Sequence, residues 1–192
     1  MTRVLIIQGH PDPDPAHFGH ALASAYADGA RAAGHAVETV TVATLDFPLL
    51  RTRSDWEQGP VPPALAPVQQ AIVRAEHLVF FFPLWMGGMP ALLKGFIEQV
   101  ARPGFAVGTG HPMTAAKPLT GRSARVVVTM GMPAAVYRWV FRAHGLKALE
   151  RNILGLIGIA PVHETLVGSV EGSDAARQRW LAKLARLGRD GA

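Results

Sequence analysis

The chain has 192 residues, 49% of them hydrophobic and 17% charged, a length that supports one domain with a substantial core, expected to span residues 1–192. It contains no cysteine, which excludes disulfides, thiolate nucleophiles and Cys-ligated metals. The longest uncharged stretch, residues 78–93, holds two prolines and two glycines, so no membrane span is expected.

Val4-Leu5-Ile6-Ile7 predicts a short buried strand, and the three prolines within residues 8–15 forbid regular structure after it. Residues 18–33 predict a helix with Leu22, Ala25, Tyr26 and Gly29 facing inward and Gly34 as its stop. Residues 37–42 (VETVTV) alternate as a second strand, and 44–63 form a long connection without periodicity, a length that usually marks function. Residues 64–75 predict a second helix. The unbroken apolar run 78–82 predicts a fully buried third strand. Pro83 and a Trp-Met-Gly-Gly-Met loop follow, and residues 91–100 place Leu92, Leu93, Phe96, Ile97 and Val100 at helical spacing behind Pro90 as first helical residue. Residues 102–121 are rich in Gly and Pro. ARVVVT at 124–129 predicts a fourth strand, ending in Met130-Gly131-Met132-Pro133. A partly helical segment over 134–144, a helix over 146–156, a fifth strand over 162–170 and a closing amphipathic helix over 173–187 complete the chain, with Asp174 near the last helix's start.

Strands alternating with helices predict an α/β fold, a parallel sheet with helices on both faces. Right-handed crossovers and one reversal give five strands in the order 2-1-3-4-5. The loops after the first, third and fourth strands then converge on one crevice, where open α/β sheets bind ligands. The first loop presents main-chain N–H groups at a helix start, suited to an anionic phosphate, with His10 and His17 as further donors. His20 reads as a surface histidine. The second and third loops offer Leu84, Trp85, Met86, Met130 and Met132 beside exposed amides, which suits a flat, polar-edged ring. No Gly-x-Ser-x-Gly elbow occurs and no serine has a histidine at a suggestive spacing. The net charge of +5 is uneven: residues 97–192 carry 13 basic and 6 acidic side chains, with Arg138, Arg142, Lys147 and Arg151 close together. Such a patch attracts anions such as a nicotinamide dinucleotide, while no nucleic-acid-binding motif accompanies it.

The strand followed by His10-Pro11-Asp12 is similar to zinc-dependent deacetylases of the LmbE-like class. Those continue as His-Pro-Asp-Asp and need a later His-x-Asp-His, whereas Pro13 stands here and His111, His144 and His163 lack that setting, so no metal is expected.

Residues 4–35, 78–101 and 117–168 resemble the flavodoxin-like NAD(P)H:quinone oxidoreductases, with the ancillary flavoproteins of bacterial potassium-efflux systems as relatives. The most specific stretch is Pro83-Leu84-Trp85 with Met89-Pro90-Ala91-Leu92-Leu93-Lys94-Gly95-Phe96-Ile97-Glu98. The resemblance implies a flavodoxin-like three-layer sandwich and a cytoplasmic homodimer in which the partner completes each site. It implies a flavin, FAD in preference to FMN, and NAD(P)H as electron donor. By position, His10, His17, Phe18 and Gly19 hold the phosphate end. Pro83, Leu84, Trp85, Met86 and Gly87 cradle the isoalloxazine ring, and Thr129, Met130, Gly131 and Met132 close its other edge. Tyr137 and His144 match the catalytic tyrosine and histidine near the ring's N1/O2 side. His17 stands where members carry a small hydroxyl residue, Gly19 where they carry asparagine, and Met86 where many carry an aromatic. The implied reaction is ping-pong two-electron reduction of a quinone or similar electrophile; the alternative is a regulatory flavin- or nucleotide-binding subunit of a potassium-efflux transporter.

Overall fold

The computed structural model describes residues 1–108 and 116–191. Strands β1 (Arg3–Gln8), β2 (Ala36–Thr41), β3 (His77–Pro83), β4 (Ser123–Thr129) and β5 (Val162–Val167) form one parallel sheet in the order β2-β1-β3-β4-β5, as expected from the crossover rules. The helices are α1 (Phe18–Ala32), α2 (Arg53–Glu57), α3 (Ala66–Arg74), α4 (Ala91–Val100), α5 (His144–Lys147), α6 (Gly155–Ile157) and α7 (Asp174–Asp190).

β3 lies at the centre, and its side chains alternate between two cores. Val79 and Phe81 pack with Leu22 and Tyr26 of α1 and Leu184 of α7. Leu78, Phe80 and Phe82 pack with Ile72 of α3, Phe96 of α4 and Leu149 beyond α5. Both faces are thus covered, which is why these strands read as continuous apolar runs rather than alternating ones. α1 and α7 meet closely: a Cβ added at Gly29 would lie 1.9 Å from Ala185 O, so only glycine permits this contact.

The elements match their expected positions to within a few residues, with three differences. Pro90 is the residue before the first helical one, because its ψ of 147° is extended. The long connection contains α2, started by a reciprocal pair in which Asp55 N donates to Thr52 Oγ1 and Thr52 N donates to Asp55 Oδ2. Buried Arg102 anchors it by donating to the Asp55 and Gly59 carbonyls. The stretch after β4 is wider than an α-helix: Val136–Val140 is π-helical, with Phe141 N donating to Val136 O, and a second π-helical segment, Ala148–Leu154, joins α5 to α6. Arg142 and Ala143, with φ of 53° and 49°, turn the chain between them.

Candidate functional site

The expected crevice forms where β1, β3 and β4 end. β1 closes on Gln8, 2% exposed, whose Nε2 donates to Gly19 O and whose Oε1 accepts from His10 N, both at 3.2 Å. One amide thereby fixes the loop against the first turn of α1. Asp12 and Asp14 bend the loop, each carboxylate accepting from the main-chain N–H two residues on.

Three imidazoles gather where this loop enters α1. The rings of His10 and His17 stack with centroids 4.1 Å apart, and His20 lies 5.5 Å from His10. His17 Nε2 is 2.8 Å from Asp12 Oδ2, and His20 Nε2 is 3.0 Å from Asp12 O. Burial, then the adjacent His17, holds the His10 pKa below its ordinary value. The hydrogen bond with His17 holds Asp12 below the usual carboxylate range. α1 begins with no side-chain cap and no acidic residue in its first turn, which leaves its dipole and first N–H groups available to an anion.

At the end of β3, Leu84 N donates to Thr129 O at 2.8 Å and ties β3 to β4. Trp85 and Gly88 exchange N–H to carbonyl hydrogen bonds of 2.9 and 3.0 Å around Met86 and Gly87, whose φ values are 48° and 82°. Two successive positive φ values describe a type I′ turn, which Gly87 adopts freely and which strains Met86 by roughly 1 kcal/mol. Trp85 is 51% exposed and Met86 wholly so, so neither side chain belongs to the core.

These loops line one solvent-open cleft. The first contributes His10, His17, Phe18 and Gly19, the second Pro83, Leu84 and Trp85, and the third Thr129, Met130 and Gly131. Met86 and Gly87 form the tip of the turn beyond Trp85, and Met132 lies past the cleft wall. Val170 also lines the cleft. It follows β5, and no sequence signal marked it.

Tyr137 and His144 do not line the cleft. The Tyr137 hydroxyl, buried behind the turn, donates to Gly87 O at 3.3 Å and accepts from Leu146 N at 3.2 Å. Burial raises its pKa, so it stays protonated. His144 is exposed, one residue before Gly145, where an added Cβ would lie 2.1 Å from Gly87 O. The segment after β4 therefore buttresses the turn through Tyr137 and Gly145. Gln8 and Gly145 are the positioning residues that sequence reasoning missed; a polar residue ending a buried strand was the available signal for the first.

Among the described residues no cluster of His, Asp and Glu is arranged to hold a metal ion. His163 lies on β5 opposite Arg125, and His111 lies outside the described residues. No helix among the described residues is long and apolar enough to cross a membrane.

Comparison with known proteins follows this geometry. The chain is 24% identical to NAD(P)H dehydrogenase [quinone] 1 of Rattus norvegicus over 88% of its own length and 70% of the rat protein. A shorter stretch, 38% of each chain, is 40% identical to the glutathione-regulated potassium-efflux system ancillary protein KefG of Salmonella paratyphi B. Among solved structures it superposes on NAD(P)H:quinone oxidoreductase from Methanothermobacter marburgensis with a TM-score of 0.81, at 24% identity, over 98% of this chain and 96% of that one. It superposes on an FMN-dependent NADH-azoreductase from Bacillus anthracis, in complex with FMN, with a TM-score of 0.76, at 16% identity and over 100% of both chains. The family model described as flavodoxin-like fold matches residues 2–189. With its sheet order, its crevice and this match over nearly its full length, the chain belongs to the flavodoxin-like fold family.

Proposed function

We propose that the chain is a flavin-dependent NAD(P)H:quinone oxidoreductase, one flavin-binding domain working in the cytoplasm. The observation that carries this reading is the cleft itself. It joins an uncapped helix start and two stacked imidazoles at one end to half-exposed Trp85 and buried Met130 at the other. An anion fits the first end and a flat apolar ring the second.

When bound, a flavin supplies the reversible two-electron chemistry that links hydride donation by NAD(P)H to reduction of a quinone. His10, His17 and the first amides of α1 would hold its phosphate. Pro83, Leu84 and Trp85 would support the ring, with Met86 and Gly87 carrying N–H groups that donate to no acceptor among the described residues. Thr129, Met130, Gly131 and Met132 would close the opposite edge. Tyr137 acts as a positioning residue through the Gly87 carbonyl, and exposed His144 would stabilise negative charge that develops on reduction. Donor and acceptor would use the same open side of the cleft in turn, hence ping-pong kinetics.

The cofactor is proposed as a flavin without preference: the structural neighbour in complex with FMN gives the expected preference for FAD no support. A homodimer is proposed from the exposed strip Trp139, Val140 and Phe141, between 55% and 76% exposed, just after the loop that ends β4. The test is to release flavin by heating the purified protein, identify it by chromatography, and assay menadione reduction by NADH and NADPH. Bound flavin and robust turnover with parallel double-reciprocal lines are expected. A colourless protein that binds neither FMN nor FAD would overturn the reading. Bound flavin with background turnover would favour the transporter-subunit alternative, to which the match with KefG points.

A further inference from the structure

We propose that the His10–His17 stack, with His20 behind it, is a proton-coupled clamp: a phosphate ester entering the cleft draws a proton onto the imidazole cluster. The proposal rests on the flavin reading above and concerns how the cofactor's phosphate is held.

The first observation is the partner arrangement of His10. Its Nδ1 lies 2.9 Å from Asp12 O and 3.1 Å from Asp12 N. A protonated Nδ1 donates to the carbonyl, and an unprotonated Nδ1 accepts from the N–H. The same nitrogen therefore has a main-chain partner in either state, and His10 changes charge without losing a hydrogen bond.

The second observation is crowding without full neutralisation. Three imidazoles, two on the loop and His20 in the first turn of α1, surround the Asp12 carboxylate, which is already paired with His17. Full protonation of the cluster is unfavourable while the site holds no anion, because the stacked rings would repel each other. The charged groups around it are few. Asp14 bends the same loop, and Arg177 of α7 lies over the Phe18 ring at 4.7 Å. Asp28 and Arg31, further along α1, pair with each other, and Glu171 follows Val170. The third loop contributes no titratable group to the cleft wall. A phosphate dianion brought against this cluster is then the missing counter-charge. It raises the proton affinity of His10 and His17, and protonation in turn tightens its grip.

His17 is the residue that makes the device particular to this chain, since the related enzymes named above by resemblance carry a small hydroxyl there. A hydroxyl hydrogen-bonds phosphate equally well across neutral pH, whereas an imidazole does so as a cation only after taking up a proton.

The experiment is titration calorimetry of flavin-free protein with FMN and with riboflavin, which lacks the phosphate. It is run at pH 7.5 in buffers of different ionisation enthalpy and repeated from pH 6 to 8.5. Wild type should take up close to one proton per FMN and none per riboflavin, and its FMN affinity should fall at least tenfold across that range. His17→Ser and His10→Gln should each bind riboflavin as wild type does, take up less than half a proton with FMN, and flatten the FMN profile. Unchanged proton uptake in both variants, or FMN affinity independent of pH in wild type, would overturn the clamp while leaving the flavin reading intact. Failure to bind FMN, riboflavin or FAD at any pH would overturn the flavin reading and the clamp together.

Discussion

The two ends of the sheet both carry histidine, and they use it in opposite ways. At the carboxyl end His10, His17 and His20 cluster where the first loop meets α1, and His10 Nδ1 has a main-chain partner in either protonation state. At the amino end His77 is fully buried, with Nδ1 2.8 Å from Ser123 Oγ and Nε2 without a partner among the described residues. Burial, then Arg125 and His163, push its pKa down to about 4. Beside it Arg125 donates to Thr165 Oγ1 and is hydrogen-bonded to Tyr26, whose pKa burial pushes up to about 12. The amino end is fixed in one charge state and holds the layers together. The carboxyl end keeps its charge state free, as a ligand site needs.

The largest effect that would break this contrast is acid unfolding at the amino end. The folded pKa of His77 lies below its unfolded value, so the unfolded chain binds more protons and stability falls as pH drops. The loss starts near pH 6.5 and is complete below about 4, amounting to roughly 3 kcal/mol. Urea midpoints at pH 7, 5.5 and 4 would trace it, and His77→Leu should flatten the decline over that window. A wild-type midpoint that stays constant down to pH 4 would remove the distinction between the two ends.

Next in size is Gly145→Val. A Cβ there meets Gly87 O at 2.1 Å, so the turn must shift. Overpacking of this kind costs about 2 kcal/mol, read here as a loss of roughly 30-fold in flavin affinity with the fold retained. Affinity equal to wild type would show that the turn carries no ligand. Smaller again is Ser123→Ala, which leaves the buried His77 Nδ1 unpaired and should lower stability by about 1–2 kcal/mol in urea denaturation. Asp12→Asn removes the negative charge from a contact of the same 2.8 Å length at the exposed end and should leave the thermal midpoint unmoved. Equal losses from these two substitutions would erase the comparison.

The fold was legible because burial on both faces writes continuous apolar strands, as in LVFFF, and because prolines and glycines mark the loops between them. The cleft was legible for the same reason: topology alone brings three loop ends together, and the resemblance named the residues on them. What was not legible depends on tertiary contact. The resemblance places Tyr137 near the ring's N1/O2 side, and only the tertiary structure shows its hydroxyl taken up by Gly87 O and Leu146 N. Gly145 reads as an interruption in a helical stretch, yet it is small because the Gly87 carbonyl presses on it. The π-helical widening after β4 leaves no periodic trace, since a single i→i+5 bond shifts the phase that a helical reading relies on. α2, like Gln8, is a miss with a local signal, Thr52 followed three residues later by Asp55.

The central claim is that a flavin occupies the cleft at the carboxyl end of the sheet. Titrating isotopically labelled protein with FMN and following main-chain amide resonances tests it directly. The account predicts saturable shifts at Phe18, Gly19, Met86, Gly87 and Gly131, with His77, Ser123 and Arg125 unmoved. Saturable shifts at the amino end with a silent cleft, or no shifts with FMN or FAD, would contradict it.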